Sequence, residues 1–220
     1  MSGKGARTDA KTIVLGCTGG IGAGKSRVCK FFAAKGIPVY DSDYRTKELY
    51  AEDKQLLNGL QELLGSDIVK EGQLQKQLMA SRIFNDSAMM QRVREFVYPF
   101  VMRDFKRWTR GKKRLYAKNN NGAHLPFVIM ESAVILESEY VKKHIDKVLL
   151  VTAPLSIRIE RVMARDNCTR KEASERINSQ WSDSERIPLA DFVIESVEGN
   201  NVEAEVDRIY KLLCAASKNC

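Results

Sequence analysis

The sequence contains no uninterrupted apolar run of about 18 residues, which is the length that a membrane-spanning helix requires. Residues 1–11 are small and polar and lack the apolar centre of a signal peptide, so we expect a flexible tail and a cytoplasmic protein with no membrane partner. The five cysteines cannot all pair, and none forms a Cys-x-x-Cys motif. Reduced thiols are therefore expected, without a disulfide framework or a readable metal site.

Positive charge is distributed unevenly along the chain. The formal net charge is +8, and residues 103–118 contain eight Lys or Arg residues but a single acidic residue. This stretch predicts either a solvated helix end or an attraction for an anion such as nucleic acid, an acidic membrane or a polyphosphate ligand. Residues 111–124, which are basic and then rich in Asn, are expected to form a mobile loop.

Short apolar runs alternate with helical patterns. Strands are predicted at 12–17, 37–40, 127–130, 147–152 and 190–194. Helices are predicted at 24–35, 44–64, within 66–84, 87–110 with a kink at Pro99, 154–166, 169–180 and 201–215. This alternation indicates an α/β fold with a doubly wound, parallel, five-stranded sheet.

Residues 19–26 read Gly-Gly-Ile-Gly-Ala-Gly-Lys-Ser and match the phosphate-loop pattern G-x-x-x-x-G-K-[ST]. Glycines let the backbone curve around phosphate with its N–H groups pointing inward, and the helix that follows adds its positive N-terminal end. Lys25 supplies a charge for the β- and γ-phosphates, and the Ser26 hydroxyl suits magnesium. A glycine turn with an incidental lysine, or a dinucleotide-binding fingerprint, explains this pattern less well.

The sequence of the second predicted strand ends in Asp41-Ser42-Asp43. In a parallel sheet this position lies at the carboxyl edge, where a carboxylate can accept the proton of an attacking hydroxyl group. The alternative role is capping of the next helix, which Asp also favours. The chain lacks the Asn-Lys-x-Asp element that reads guanine in most GTPases, so a small-molecule kinase is the favoured class of P-loop protein.

Five arginines recur through two consecutive predicted helices, at positions 158, 161, 165, 170 and 176. Arg161 and Arg165 are four residues apart and share a helix face. Arginines near a transferring phosphoryl group stabilise its charge, which makes this region a candidate lid. The alternative is that they pair with the acidic residues of the same helices, namely Glu160, Asp166, Glu172 and Glu175.

The ordered set of motifs resembles the dephospho-CoA kinase family, from about residue 13 to 215. The matching segments are the phosphate loop, Asp41-Ser42-Asp43, Gly65, Gly72-Gln73-Leu74, Ile83-Phe84, Arg161–Asp166, Arg176–Gln180 and residues 190–194. The resemblance implies transfer of a phosphoryl group from ATP, with Mg²⁺, to the ribose 3′-hydroxyl of dephospho-CoA. It also implies a P-loop core at 12–43 and 121–220, a lid at about 155–186, and a helical acceptor-binding region at 44–120.

Residue roles follow from the same resemblance. The expected catalytic residues are Asp43, Lys25, Arg161 and Arg165. ATP contacts are expected from Gly20, Gly22, Ala23, Gly24, Lys25, Ser26, Arg27, Arg161, Arg165 and Arg176. Acceptor contacts are expected from Asp43, Lys47, Lys76 and Tyr98, and metal contacts from Ser26 and Glu131, directly or through water.

The chain also departs from the family pattern, mostly on the acceptor side. Lys47 and Lys76 replace arginines, which keeps the charge but loses the two-pronged guanidinium. Tyr98-Pro99 replaces His-Pro, and Ser132-Ala133 lies where the family has Pro-Leu. Two alternatives therefore stay open: a kinase for another hydroxyl or nucleotide acceptor, and an ATP-switched nucleic-acid-binding protein, which lacks support from any recognised module. We expect a monomer or a weak homo-oligomer.

Overall fold

The protein is described by a computed structural model that covers residues 11–84 and 86–218. The predicted tail at 1–11 lies outside the described residues, except for Lys11, which forms an ion pair with Asp146. Contact analysis divides the chain into two compact units. The first comprises the residues up to Tyr40 and those from Gly111 onward, and the second comprises Asp41–Arg110.

The sheet has five strands in the order β2-β5-β1-β6-β7. The strand bounds are β1 Ile13–Thr18, β2 Val39–Asp41, β5 Phe127–Glu131, β6 Lys147–Thr152 and β7 Phe192–Glu195. Strand β1 pairs in parallel with β5 and β6, and β6 pairs in parallel with β7. The central strands are apolar and buried almost throughout, as expected for a sheet that is covered on both faces. The predicted five-stranded α/β sheet is confirmed.

Helices pack around this sheet in the first unit. Their bounds are α1 Lys25–Ala34, α6 Glu139–Lys142, α7 Leu155–Asp166, α8 Arg170–Asn178, α9 Asp183–Arg186 and α10 Val202–Lys218, with a 3₁₀ turn at Ile187–Leu189. The core includes Leu15, Phe32 and Phe127, together with residues of α10 such as Ile209. Buried Cys17 and Cys29 belong to this core, and the four cysteines that the structure describes are free thiols.

The second unit consists of helices and one hairpin. It contains α2 Ser42–Glu52, α3 Lys54–Leu64, a 3₁₀ turn at Ser66–Ile68, β3 Val69–Lys70, β4 Gln73–Leu74, α4 Lys76–Phe84 and the first part of α5 Ser87–Asn119. At Gly59, an added Cβ atom would lie 2.0 Å from the Phe96 ring, so α3 and α5 pack very closely there. Asp104 is buried and is paired with Arg45 and Arg107.

Three predicted elements between residues 44 and 124 were wrong in detail. The single helix at 44–64 is divided at Asp53, whose carboxylate accepts hydrogen bonds from the Gln55 and Leu56 amides and so starts α3. A hairpin occupies 69–74, where only a glycine and a helical pattern were recognised. Residues 111–119 continue helix α5 instead of forming a loop, because Lys, Arg, Leu and Ala are strong helix formers.

Within the described ranges, no helix is both long and apolar enough to cross a membrane.

Candidate active site

The phosphate loop connects strand β1 to helix α1, as the sequence predicts. Gly24 precedes the helix with a φ of 98°, a conformation that suits glycine, and no described side chain caps the first turn. Gly22 has a φ of 78°, and a Cβ atom on it would lie 2.6 Å from the Arg158 carbonyl oxygen. Because no side chain caps the first turn, its N–H groups can bind an anionic ligand. The positive φ angles and the close contact at Gly22 require glycine at these loop positions.

Lys25 and Ser26 stand at the start of α1 and contact different parts of the first unit. Lys25 Nζ donates hydrogen bonds to the carbonyl oxygens of Gly19 at 2.8 Å and Gly20 at 3.3 Å. The Ser26 hydroxyl group donates to Glu131 Oε1 at 2.7 Å. Glu131 is the last residue of β5, directly beside β1 in the sheet. A cation, Lys25, and a hydroxyl–carboxylate pair, Ser26 with Glu131, therefore lie together at the start of α1.

A cavity of about 190 Å³ lies against this loop. Its lining includes Gly22, Gly24, Lys25, Ser26, Arg27, Arg161, Val162 and Arg165. Five of these residues carry a cationic side chain or a hydroxyl group that can bind phosphate, and the two glycines offer only their backbone. An anionic ligand rich in phosphate fits this lining.

The arginines of helix α7 divide their contacts between the loop and a carboxylate. Arg161 Nη1 donates to the carbonyl oxygens of Gly22 at 3.2 Å and Ala23 at 3.4 Å, and its Nη2 donates to the Ser196 carbonyl at 2.7 Å. Arg165 makes two hydrogen bonds to Asp166, at 2.7 and 2.9 Å, and this contact lowers the pKa of the Asp166 carboxyl group. Arg161 therefore holds the loop while it lines the cavity.

Arg176 lies on helix α8 and does not belong to the cavity lining. Its Nη1 donates to Asp166 Oδ2 at 3.0 Å, so Arg165 and Arg176 share one carboxylate. Gln180 continues the same segment, and its Oε1 accepts a hydrogen bond from the Ile21 amide at 2.8 Å. The predicted lid region thus contacts the phosphate loop through α7 and Gln180.

The sequence left the roles of Asp41 and Asp43 open, and the structure separates them. Asp41 ends strand β2, and its carboxylate accepts a hydrogen bond from the Tyr44 amide at 2.9 Å, which makes it the N-cap of α2. Asp43 lies in the first turn of that helix. Because Asp41 performs the capping role, capping does not account for Asp43.

A second cavity, of about 420 Å³, lies within the second unit. It is lined by Lys47, Tyr50, Ala51, Glu71, Gly72, Gln73, Leu74 and Lys76. Burial raises the pKa of Tyr50 to about 12, so its hydroxyl group stays protonated and can donate a hydrogen bond at neutral pH. Two cations and this hydroxyl group give the cavity an affinity for anionic and polar groups.

Comparison with known proteins connects these features. A model of the dephospho-CoA kinase family matches residues 13–202. The chain belongs to this family. Dephospho-CoA kinase of Bacteroides fragilis is 36% identical over 182 residues, which are 83% of each chain. That of Methylococcus capsulatus is 33% identical over 93% of this chain and all of its own.

Solved structures agree with the sequence relatives. TT1252 from Thermus thermophilus is 28% identical, covers 93% of this chain and 97% of its own, and superposes with a TM-score of 0.69. Dephospho-CoA kinase from Campylobacter jejuni is 18% identical over 92% of this chain and 97% of its own, with a TM-score of 0.53. The fold is therefore that of the P-loop kinases, as predicted.

Most of the residues that the sequence predicts to contact ATP lie at one cavity in the structure. Gly22, Gly24, Lys25, Ser26, Arg27, Arg161 and Arg165 line one cavity, and Gly20 and Ala23 belong to the same loop. Of the residues expected to contact the acceptor, Lys47 and Lys76 line the second cavity, but Tyr98 lies on α5 and Asp43 on α2, outside that lining.

Sequence reasoning missed several residues that contact these sites. Tyr50 and Glu71 line the second cavity. Arg158 was named only as one of five arginines, and its contact with the phosphate loop was missed, although it is three residues from Arg161 and shares its helix face. Tyr50 is likewise three residues after Lys47 on α2. Nothing in the sequence pattern marks Glu71.

Proposed function

We propose that this protein transfers the γ-phosphoryl group of ATP to the ribose 3′-hydroxyl group of dephospho-CoA, giving CoA and ADP. The observation that carries the proposal is the cavity at the phosphate loop, where Lys25, Ser26 and two α7 arginines meet, in a chain of this family. In such a reaction, positioning and charge stabilisation supply most of the rate enhancement.

The donor half of the site has the following roles in this proposal. Loop amides and Lys25 bind the β- and γ-phosphates, and Arg165 neutralises charge that develops on the transferring group. Arg161 fixes the loop by its contacts to the Gly22 and Ala23 carbonyls and adds positive charge at the same cavity. Arg176 acts through Asp166, which orients Arg165.

The Ser26–Glu131 pair fits a magnesium ion. A hydroxyl and a carboxylate oxygen are hard ligands, and their 2.7 Å contact shows that both reach one point. Mg²⁺ usually keeps several water ligands and binds through one or two protein groups and the substrate phosphates, so this pair would be its contact with the protein. When bound, Mg²⁺ would neutralise phosphate charge that repels the incoming oxygen.

Asp43 is proposed as the base that receives the proton of the 3′-hydroxyl group. Support comes from its position two residues after β2, a strand of the sheet that carries the phosphate loop, and from the assignment of helix capping to Asp41. Lys47 and Lys76 are proposed to bind anionic groups of the acceptor in the cavity that they share. Tyr98 is proposed as a further acceptor contact.

Glu131→Gln is expected to raise the Mg²⁺ concentration for half-maximal velocity about tenfold, because an amide oxygen is a weaker ligand than a carboxylate. The measurement is a Mg²⁺ titration of ADP formation at saturating ATP and acceptor. Glu139→Gln, on the exposed surface of α6, is the matched control and should leave the titration unchanged. An unchanged Mg²⁺ requirement in Glu131→Gln would remove Glu131 from the metal site.

Lys47→Arg and Lys76→Arg are each expected to lower the KM for dephospho-CoA about threefold to tenfold, because a guanidinium binds phosphate through two hydrogen bonds. The KM for ATP should stay constant. Lys54→Arg, an exposed change in the same unit, is the control. If neither variant alters the acceptor KM, the shared cavity does not bind the acceptor.

The proposed reaction is tested by ADP release with a panel of acceptors: dephospho-CoA, AMP, adenosine, pantetheine and shikimate. Stimulation by dephospho-CoA alone is the expected result. Stronger stimulation by another hydroxyl compound would favour the alternative of a kinase with a different acceptor. A cytoplasmic location and a monomeric or weakly oligomeric state remain our predictions for this protein.

A further inference from the structure

Helix α7 packs a third arginine against the phosphate loop, and the roles proposed above do not use it. The Arg158 side chain is only 7% exposed, and its Nε donates a hydrogen bond to the Ile21 carbonyl oxygen at 3.0 Å. A Cβ atom on Gly20 would lie 2.0 Å from Arg158 Nη2. The guanidinium therefore rests directly on the outer side of the loop.

Arg158 also begins a chain of charged groups that is largely buried in the first unit. Its Nη1 is 3.6 Å from Asp183 Oδ2, and Asp183 Oδ1 is 3.7 Å from Arg186 Nη1. Arg186 is fully buried and donates a hydrogen bond to Glu137 at 2.9 Å. Two cations and two anions thus connect the loop to α9 and to the segment that follows β5.

Stability alone does not explain a guanidinium at this position. Arg158 Nη2 is buried without a hydrogen-bond partner among the described residues, and the ion pair to Asp183 is long. Burial lowers the pKa of Arg158, Arg186 lowers it further, and Asp183 opposes the shift. Replacement of a whole buried ion pair by apolar side chains of similar volume is often no less stabilising.

The hydrogen bond to Ile21 has a geometric consequence for ligand binding. In a planar trans peptide, the carbonyl oxygen of one residue and the N–H of the next point in opposite directions. Because Arg158 holds the Ile21 carbonyl oxygen, the Gly22 N–H is directed away from Arg158, and Gly22 lines the cavity at the loop.

We propose that Arg158 is a positioning residue that keeps the phosphate loop in its ATP-binding conformation, and that Asp183 orients Arg158. The inference rests on the proposed function only in assigning ATP to the loop. Arg158 lies outside the cavity lining, and substitution of Arg158 is expected to change ATP affinity but not acceptor binding. A preorganised loop binds more tightly because it loses less freedom when the ligand arrives.

The test measures ATP affinity of the full-length protein by calorimetry, without acceptor. Arg158→Met is expected to weaken ATP binding about tenfold, because the loop loses its outer hydrogen bond. Arg158→Lys should recover part of this loss, since an ammonium group can still donate to the Ile21 carbonyl. Arg208→Met removes an exposed arginine of α10 that pairs with Glu205, and should bind ATP normally.

Two further readouts separate positioning from a merely structural role. The KM for dephospho-CoA should change less than twofold in Arg158→Met, because only the phosphate loop is altered. The urea midpoint is expected to fall, since Asp183 loses a partner, so ATP affinity is measured where circular dichroism shows the variant to be folded. Asp183→Asn, which keeps its shape, should weaken ATP binding by about threefold to fivefold. Wild-type ATP affinity in Arg158→Met would overturn the proposal; if that variant fails to fold, wild-type affinity in both Arg158→Lys and Asp183→Asn would do so. Because acceptor is absent, an incorrect acceptor assignment does not affect this result.

Discussion

Lys25→Met is expected to slow phosphoryl transfer about a thousandfold, the largest loss that we predict for a single substitution on the donor side. The ammonium group supplies a charge beside the β- and γ-phosphates in the transition state, and methionine keeps the length of the side chain but not this charge. In the structure Lys25 Nζ bonds to the Gly19 and Gly20 carbonyl oxygens, so it is already held inside the loop.

The measurement is single-turnover transfer from labelled ATP at saturating acceptor. Lys30→Met is the matched control, because Lys30 is an exposed residue of the same helix, and its turnover should equal that of the wild type. Circular dichroism should show the same helix content in both variants. A Lys25→Met enzyme that retains more than a tenth of the wild-type rate would contradict the role given to the phosphate loop.

Asp43→Asn is expected to reduce kcat about a thousandfold while ATP affinity changes less than threefold. An amide cannot accept the proton of the attacking hydroxyl group, but it preserves the size of the side chain and most of its contacts. In this variant, the pre-steady-state rate of phosphoryl transfer should therefore fall, whereas the ATP affinity measured by calorimetry should stay near that of the wild type.

Asp41→Asn supplies the control for the base assignment. Asparagine caps helices about as well as aspartate, so this variant should keep both its stability and its turnover, although it removes a carboxylate two residues away. If Asp41→Asn loses turnover and Asp43→Asn keeps it, the base is Asp41. If Asp43→Asn loses ATP affinity and retains its rate at saturation, Asp43 has a structural role.

The sheet and the phosphate loop could be predicted because their signals are local. Buried parallel strands have continuous apolar runs in the sequence, such as residues 148–151, and the phosphate-loop pattern fixes four positions within eight residues. Asp41 ends strand β2 and Asp43 follows two residues later, so their position could also be predicted. Their separate roles could not, because both are acidic residues at a helix start.

Elements of the second unit, and the part of α5 that follows Arg110, were harder to predict because their signals are weak or short. The hairpin strands have two residues each, and the turn between them places Glu71 at a φ of 53°, beside Gly72 at 75°. Glutamate rarely adopts this conformation, so the sequence contains no recognised turn motif that predicts the hairpin. The basic end of α5 was interpreted as a loop from its charge, although lysine and arginine favour helices.

Contacts between residues far apart in sequence could not be predicted at all. Arg158 and Ile21 are separated by 137 positions, and Ser26 and Glu131 by 105. A single sequence shows which residue types are present, but it does not show which residues are in contact in the folded protein. The family resemblance supplied Glu131, whereas Arg158 was visible only as one arginine in a series.

Analysis of the reaction product tests the central claim most directly. The protein is incubated with ATP, Mg²⁺ and dephospho-CoA, and the product is examined by mass spectrometry and ³¹P nuclear magnetic resonance. The proposed function predicts one added phosphoryl group on the ribose 3′-hydroxyl and one ADP for each CoA formed. Release of ADP without a phosphorylated acceptor, or a phosphate on a different oxygen atom, would contradict it.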